Sequence, residues 1–136
     1  IERAKNHRIH RELSSIARVR KNSIALQRGL QANLEFTDET AVFFRVYQDY
    51  EIRQSALVLL NKGDAATDIP ITRWLSTGAW RDAVTGEEIY VRNDDPSLLV
   101  SVPAHGARVL MFDDPVNNVQ LMEELDRLQA ARQRSQ

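Results

Sequence analysis

The sequence contains no cysteine. Its absence excludes disulfide bonds, thiolate catalysis and structural zinc sites with cysteine ligands. It is compatible both with the cytoplasm and with the secreted or periplasmic enzymes of bacteria, so the compartment is not predicted. No apolar run approaches the roughly 18 residues of a membrane span, and residues 1–5 lack the apolar core of a signal peptide. The sequence therefore predicts no membrane partner.

An excess of charge of one sign is also missing. The 136 residues carry 18 Lys and Arg against 19 Asp and Glu, which excludes a strong attraction of the whole chain to nucleic acid. The basic residues do cluster in residues 1–21, where seven of them stand against two glutamates. No aromatic side chain alternates with these charges to stack on bases. The pattern favours a solvated helix face, or one that binds an acidic partner, over a nucleic-acid site.

The two ends of the chain have helical periodicity. In residues 1–29, Ile9, Leu13 and Ile16 form one apolar stripe on a charged helix, and Gly29 is a suitable stop. Asn22-Ser23 is placed to cap a second short turn within this segment. In residues 114–136, Asp114-Pro115 has the pattern of a helix start, and the leucines that follow form one stripe. We expect one helix at each end.

Residues 30–113 alternate with a period of two and predict seven or eight short strands separated by turns. The predicted fold is mainly β, an antiparallel Greek-key β-sandwich flanked by the two helices. The strand Ser55–Asn61 is apolar on both faces, so it must be covered on both sides. We expect Leu57 and Leu59 to be covered from outside the sandwich. The segment Asn61-Lys62-Gly63-Asp64 predicts a hairpin to the next strand.

The search for catalytic and metal-binding patterns gives a negative result. His7 and His10 have helical spacing for a shared metal, but no third ligand is near and arginines surround them. The residues Asn93-Asp94-Asp95 lack the spacing of a calcium loop, which favours a turn. Glu87 and Glu88 are consecutive in a strand, so they face opposite sides and cannot act on one substrate. The sequence predicts no catalytic residue, no metal and no cofactor.

Three aromatic residues are candidates for sugar binding. An exposed flat ring can stack on a sugar, whereas a buried ring belongs to the core. Trp74 lies in a loop-like stretch, where the two interpretations have similar weight. For Trp80, which precedes Arg81-Asp82, core or inter-domain packing is favoured. Tyr90 completes the set of candidate substrate-binding residues.

The N-terminal segment resembles the last barrel helix of the α-amylase family of glycoside hydrolases, which includes enzymes like cyclodextrin glucanotransferase. The similar residues are Ile16-Ala17-Arg18-Val19-Arg20-Lys21 and Ala25-Leu26-x-x-Gly29. The following residues resemble the family's C-terminal β-sandwich, called domain C. The similar features there are Val42–Tyr47 with Arg45, Ala56–Asn61, Trp80-Arg81-Asp82-x-x-Thr85-Gly86 and Leu99-x-x-x-Pro103-x-x-Gly106-Ala107-x-Val109-Leu110. The sequence departs from the family at Ser23-Ile24, where Asn/His-Pro is usual, and after Asp113.

The resemblance implies a non-catalytic domain that stabilises the catalytic (β/α)8 barrel of an α-glucan-active glycosidase or glucanotransferase. The catalytic acids of that family lie on barrel strands that precede these motifs, so none is assigned to this chain. The barrel is then the expected partner, with an α-glucan as a further one. Two other functions remain open: a carbohydrate-binding module that uses surface aromatic residues, and an interaction module that uses the basic helix.

Overall fold

A computed structural model describes residues 17–134 of the chain. Residues 17–21 are helical, and the named elements follow in the order α1 (Ile24–Arg28), β1 (Leu30–Phe36), β2 (Thr40–Gln48), β3 (Arg53–Asn61), β4 (Thr67–Ile71), β5 (Gly78–Asp82), β6 (Glu88–Val91), β7 (Leu98–Val102), β8 (Gly106–Phe112) and α2 (Val119–Arg134). The predicted mainly β fold is confirmed. No helix within residues 17–134 is long and apolar enough to cross a membrane.

The strands form two antiparallel sheets. Six of them have the spatial order β1-β2-β3-β8-β5-β6, and β4 pairs with β7 in a second, two-stranded sheet. After β3 the chain enters the small sheet as β4 and returns to the large sheet as β5 and β6. It then forms β7 of the small sheet and ends in the large sheet as β8, which lies between β3 and β5. The predicted hairpin at 61–64 is therefore wrong, because β3 pairs with β8 and β4 belongs to the other sheet.

The main core lies on one face of the six-stranded sheet, which we call the inner face. The two-stranded sheet covers part of this face with Ile69, Ile71, Val100 and Val102. Helix α2 contacts β1, and its buried leucines join the same core. The C-terminal helix therefore takes the place of further strands as a cover for the large sheet.

Strand β3 is apolar on both faces, as its sequence predicts, but our assignment of the two faces is wrong. Leu57 and Leu59 point into the sandwich core. Ala56 and Val58 point to the outer face, where they pack with Ala25 and Leu26 in a second cluster. Strand alternation separates two faces but does not say which of them the second sheet covers.

The helix boundaries follow their capping groups. The hydroxyl of Ser23 accepts a hydrogen bond from the N–H of Leu26 and caps α1, which ends before Gly29. At the other end the predicted start at Asp114-Pro115 is wrong, because α2 begins at Val119. The Oδ1 of Asn118 accepts a hydrogen bond from the N–H of Leu121 and caps this helix instead. The predicted helix over residues 1–16 lies outside the described residues.

Candidate functional site

Trp80 belongs to the sandwich core. Its side chain is 1% exposed, and its ring stacks on Phe112 with centroids 4.9 Å apart and an angle of 22° between the ring planes. The Nε1–H donates a hydrogen bond of 2.9 Å to the carbonyl oxygen of Ser76, which satisfies the one polar atom of the ring. In this position both faces of the Trp80 ring contact protein.

Trp74 closes one end of the core. Its backbone has a φ of 64°, a conformation that bulky side chains rarely adopt. The ring lies 6.3 Å from the ring of Phe44, and the guanidinium of Arg73 lies 5.4 Å from its centroid. Arg73 also donates a hydrogen bond to the carbonyl oxygen of Leu34. The half-buried Trp74 is thus held between the core and a cation.

Tyr90 is the exposed member of the three aromatic candidates. Its side chain is 68% exposed on β6, the edge strand of the large sheet, opposite Ala79 of β5. Trp74, Trp80 and Tyr90 lie in different environments, since the first two contact the core cluster and Tyr90 points away from it. Tyr90 is therefore the ring with a face open to solvent.

The Trp-Arg-Asp-x-x-Thr-Gly segment forms a turn organised by Asp82. The Oδ1 of Asp82 accepts hydrogen bonds from the N–H groups of Val84 and Thr85, at 2.8 and 2.9 Å. Its Oδ2 accepts two hydrogen bonds from the guanidinium of Arg108, at 3.0 and 3.1 Å. Burial, the largest single effect, raises the pKa of Asp82, but the hydrogen bonds and the charge of Arg108 outweigh it, and the pKa lies below its usual value. Asp82 supports the turn and the β5–β8 contact.

Two other residues of the family resemblance also make structural contacts. The Nε of Arg45 donates a hydrogen bond of 3.1 Å to the carbonyl oxygen of Gly29, where β1 begins. The Nδ2 of Asn61 donates to the carbonyl oxygens of Ala65, Val102 and Pro103 and joins the ends of the two sheets. These contacts explain the side chains by folding, without a catalytic role.

The acidic residues of the described chain form no metal site. Within residues 17–134 there is no group of three or more His, Asp or Glu side chains placed to hold a metal ion. In the Asn93-Asp94-Asp95 turn, Asp94 forms an ion pair with Arg92 and Asp95 accepts a hydrogen bond from Ser97. Glu87 and Glu88 are both exposed at the β5–β6 turn. His7 and His10 lie outside the described residues.

The outer face of the large sheet is where the N-terminal segment joins the sandwich. Residues 17–28 lie across this face, and Val19, Ala25 and Leu26 pack on the apolar side chains of β3 and β8. The side chain of Gln54 fixes this segment, because its Oε1 accepts hydrogen bonds from the hydroxyl of Ser23 and the N–H of Ala25. We did not predict the role of Gln54. Its position gives little signal in the sequence, because Gln54 lies among other polar residues, Arg53 and Ser55, at the start of β3.

The segment 17–28 does not cover the whole outer face. Beyond it lie Phe36, Ala41, Phe43 and Leu60, which we call the outer patch. Phe36 of β1 is opposite Ala41 of β2, and Ala41 is opposite Leu60 of β3, so the patch crosses three adjacent strands. Phe36 is 56% exposed and Leu60 is 37% exposed. An apolar patch of this kind on a polar surface is typical of a protein contact.

The basic residues of the N-terminal segment that the structure describes are Arg18, Arg20 and Lys21. All three are exposed, as a solvated helix face predicts. The other basic residues of this cluster lie before residue 17, outside the described part of the chain.

Comparison with known proteins places the fold among parts of glycoside hydrolases. No protein-family model matches the sequence, and no curated protein matches it. Three solved structures illustrate the similarity. An α-amylase from Anoxybacillus matches with a TM-score of 0.60 and 16% identity over 79% of this chain and 23% of that chain. An α-amylase from Geobacillus thermoleovorans matches with a TM-score of 0.57 and 19% identity, over 71% of this chain and 21% of that chain. The α-galactosidase I from Mortierella vinacea matches with a TM-score of 0.52 and 19% identity, over 70% of this chain and 27% of that chain.

These similarities concern a portion of each enzyme. The chain spans between 21% and 27% of the length of the three structures. At identities of 16% to 19% the likeness establishes the fold alone. The chain therefore shares its fold with a partial domain of larger glycoside hydrolases, both α-amylases and α-galactosidases.

Proposed function

We propose that this chain is the non-catalytic C-terminal domain of an α-glucan-active enzyme, a glycosidase or a glucanotransferase, and that it stabilises the catalytic barrel. In this proposal residues 1–29 are the last barrel helix, residues 30–113 are the sandwich and residues 114–136 are an added helix. The order of the similar motifs and the fold shared with parts of two α-amylases support the proposal. The structural roles of Arg45, Asn61 and Asp82 agree with it.

The observation that carries the proposal is the arrangement of the outer face. The chain reaches the sandwich across this face, since Val19 and α1 pack on it. The described part of the chain therefore begins on this face, and in this proposal the barrel approaches the sandwich from the same side. The outer patch continues the apolar surface beyond the segment 17–28, with Phe36 and Leu60 exposed. We assign the outer patch to the contact with the barrel.

The contact between the outer patch and the barrel should raise the free energy of unfolding by a measurable amount. Burial of apolar surface contributes about 25 cal/mol per Å², and a standard interface covers about 800 Å² on each partner. Because association also costs entropy and desolvation, we expect several kcal/mol rather than the full product. This gain applies to the longer protein and is absent from the isolated chain.

The polar groups beside the outer face hold the two ends of the sandwich together. Gln54 links Ser23, where the chain enters, to Asp113, where it leaves, through hydrogen bonds of 2.8 and 3.2 Å. The Oδ2 of Asp113 accepts a further bond of 3.2 Å from the Nε of Arg81. This network fixes how the segment around Ser23 is held against the sandwich.

Two measurements test this function. The purified chain is assayed on starch and on cyclodextrin, and we expect no hydrolysis and no transfer. Turnover by the chain would contradict a non-catalytic role. The coding region upstream of Ile1 is then sequenced, and we expect a barrel with the three acids of the α-amylase family. An upstream region without a barrel would contradict the assignment.

A second candidate is sugar binding through surface aromatic residues. Of Trp74, Trp80 and Tyr90, the exposure of Tyr90 favours this residue as the one that stacks on a sugar. Titration of the chain with maltoheptaose, compared with the Tyr90→Ala variant, tests it. We expect saturable binding that the substitution weakens. Equal binding by both proteins would exclude Tyr90.

A further inference from the structure

A cleft without charged residues lies between three loops of the sandwich. It is an open depression of about 420 Å³ between the segment 75–77, the loop after β6 and the start of α2. All of its lining residues are uncharged, in a chain that is 27% charged. Three other clefts formed by described residues each have at least one charged side chain in their lining. Its volume falls within the range of about 300–1,000 Å³ that is typical of small-molecule sites.

The wall of this cleft is fixed by hydrogen bonds. The side chain of Asn117 accepts a bond of 2.8 Å from the N–H of Thr77 and donates one of 2.8 Å to its carbonyl oxygen. The backbone N–H of Asn117 donates to the Oγ of the buried Ser76, and that of Val116 donates to the Oε1 of Gln48. Four bonds thus hold the segment before α2 against the sandwich. A ligand would meet a wall that is already formed, which lowers the cost of binding.

The cleft also has free hydrogen-bonding groups. Within residues 17–134 the side-chain amides of Asn93, in the loop after β6, and of Gln120, in α2, have no hydrogen-bond partner, and both residues line the cleft. Each amide carries both a donor and an acceptor. The exposed side chains of Val119 and Pro96 add apolar contact surface to the lining. The cleft therefore combines paired donors and acceptors with small apolar surfaces.

This combination defines the chemistry of the ligand. The lining has no charged side chain that would pair with an anion or a cation. Hydroxyl groups both donate and accept, as the amides do, and the C–H faces of a sugar ring match the apolar surfaces of Val119 and Pro96. We propose that the cleft between Asn93 and Gln120 binds a neutral oligosaccharide, separately from Tyr90. The choice of an α-glucan among neutral sugars rests on the proposed function, whereas the cleft itself does not.

The test is a titration of the isotope-labelled full chain with maltoheptaose, followed by NMR amide spectra. We expect shifts of the side-chain amide signals of Asn93 and Gln120 and of the backbone signals of residues 117–120. The substitutions Asn93→Ala and Gln120→Ala each remove neutral hydrogen bonds and should weaken binding by about two- to ten-fold. The matched control is Gln129→Ala, which removes an exposed amide of the same helix outside the cleft. It should leave the affinity unchanged.

The other outcomes are equally informative. Shifts confined to Tyr90 and its neighbours, or no shift with any neutral oligosaccharide, would overturn the cleft proposal. Equal affinity of the Asn93→Ala, Gln120→Ala and parent chains would also overturn it. Binding of cello-oligosaccharides in the cleft without binding of maltoheptaose would confirm the site and contradict the α-glucan function. Rejection of the cleft proposal would not argue against the proposed barrel contact, because that contact lies on the outer face.

Discussion

The side-chain oxygen of Gln54 accepts a hydrogen bond of 2.8 Å from the hydroxyl of Ser23, which joins the incoming chain to β3. Ser23 stands where the α-amylase family usually has a residue that precedes proline. Its hydroxyl has two functions here, because it also caps α1 by accepting from the N–H of Leu26. Ser23 therefore both attaches the incoming chain to β3 and caps the helix that follows.

We predict that Gln54→Ala destabilises the chain. The substitution removes the acceptor of Ser23 and Ala25 and the donor to Asp113. At a net value of about 1 kcal/mol per bond, partly replaced by water, the free energy of unfolding should fall by about 1–2 kcal/mol in urea denaturation. The control is Gln31→Ala, since Gln31 is exposed and its one hydrogen bond joins it to the neighbouring Asn33. A loss no larger than that of Gln31→Ala would show that Gln54 does not fix the segment.

The pair Asp82–Arg108 gives a prediction about pH. The pKa of Asp82 is lower in the folded chain than its ordinary value of about 3.9. Its contribution to stability is therefore complete above that value and is lost as the pH falls through the folded pKa. We expect Asp82→Asn to cost about 1–3 kcal/mol at neutral pH, because it leaves the partly buried Arg108 without its counter-charge. The difference from the parent chain should shrink below about pH 4.

Urea denaturation over a pH series measures this difference. The exposed ion pair of Arg92 and Asp94 provides the control, and Asp94→Asn should change the free energy of unfolding by less than about 1 kcal/mol. A difference between the Asp82→Asn and parent chains that stays constant down to acid pH would contradict the assigned electrostatic role.

Helix α2 should be part of the folding unit rather than an appendage. Leu121 is buried in the main core, and Leu121→Ala should cost about 2–5 kcal/mol because it leaves a cavity. The neighbouring Met122 is partly exposed and lies outside this core, so Met122→Ala should cost much less. Thermal unfolding of the two variants compares them. Equal melting temperatures would show that the helix does not stabilise the sandwich.

Gly29 should resist substitution for reasons of space. A Cβ at this position would lie 2.4 Å from the carbonyl oxygen of Ala25 and 2.8 Å from the backbone nitrogen of Val46. Both neighbours are backbone atoms, so Gly29→Ala must move α1 away from β2. Gly86 has a φ of 78° but no atom within 4 Å of such a Cβ. We expect Gly29→Ala to destabilise more than Gly86→Ala in denaturant unfolding, and the reverse order would be inconsistent with this packing.

Local patterns in the sequence were sufficient to predict most strands and to predict that β3 is buried on both faces. The alternation of Leu30–Phe36 and of Glu88–Val91 predicts the observed bounds of β1 and β6. It does not predict the register shift between Asn33 and Glu35, which places Phe36 on the outer face opposite Ala41. The sequence alone did not predict which strands pair with each other in the sheets. The turn residues after Asn61 fit a hairpin, yet β3 pairs with β8, and this pairing depends on contacts that are distant in sequence.

The candidate surfaces were harder to predict than the strands. The outer patch depends on the register that aligns Phe36, Ala41 and Leu60, and the cleft depends on three loops that meet in space. Neither arrangement has a sequence motif. The environment of Trp74 also required the structure, since its ring lies between Phe44 and Arg73 in a backbone conformation that the sequence does not suggest.

The most direct test of the barrel contact compares the same variants in two proteins. Phe36→Thr and Leu60→Thr are made together in the chain of residues 1–136 and in the longer, barrel-containing protein that the proposal implies, and thermal unfolding is measured in both. Thr keeps the strand preference and removes the apolar surface. The control is Leu99→Thr, at a leucine that is 69% exposed on β7. Because Leu60 is only 37% exposed, the outer-patch variant should lower both melting temperatures. We predict that the decrease is clearly larger in the longer protein, and that the control changes both proteins little and equally. An equal or smaller decrease in the longer protein would contradict the contact.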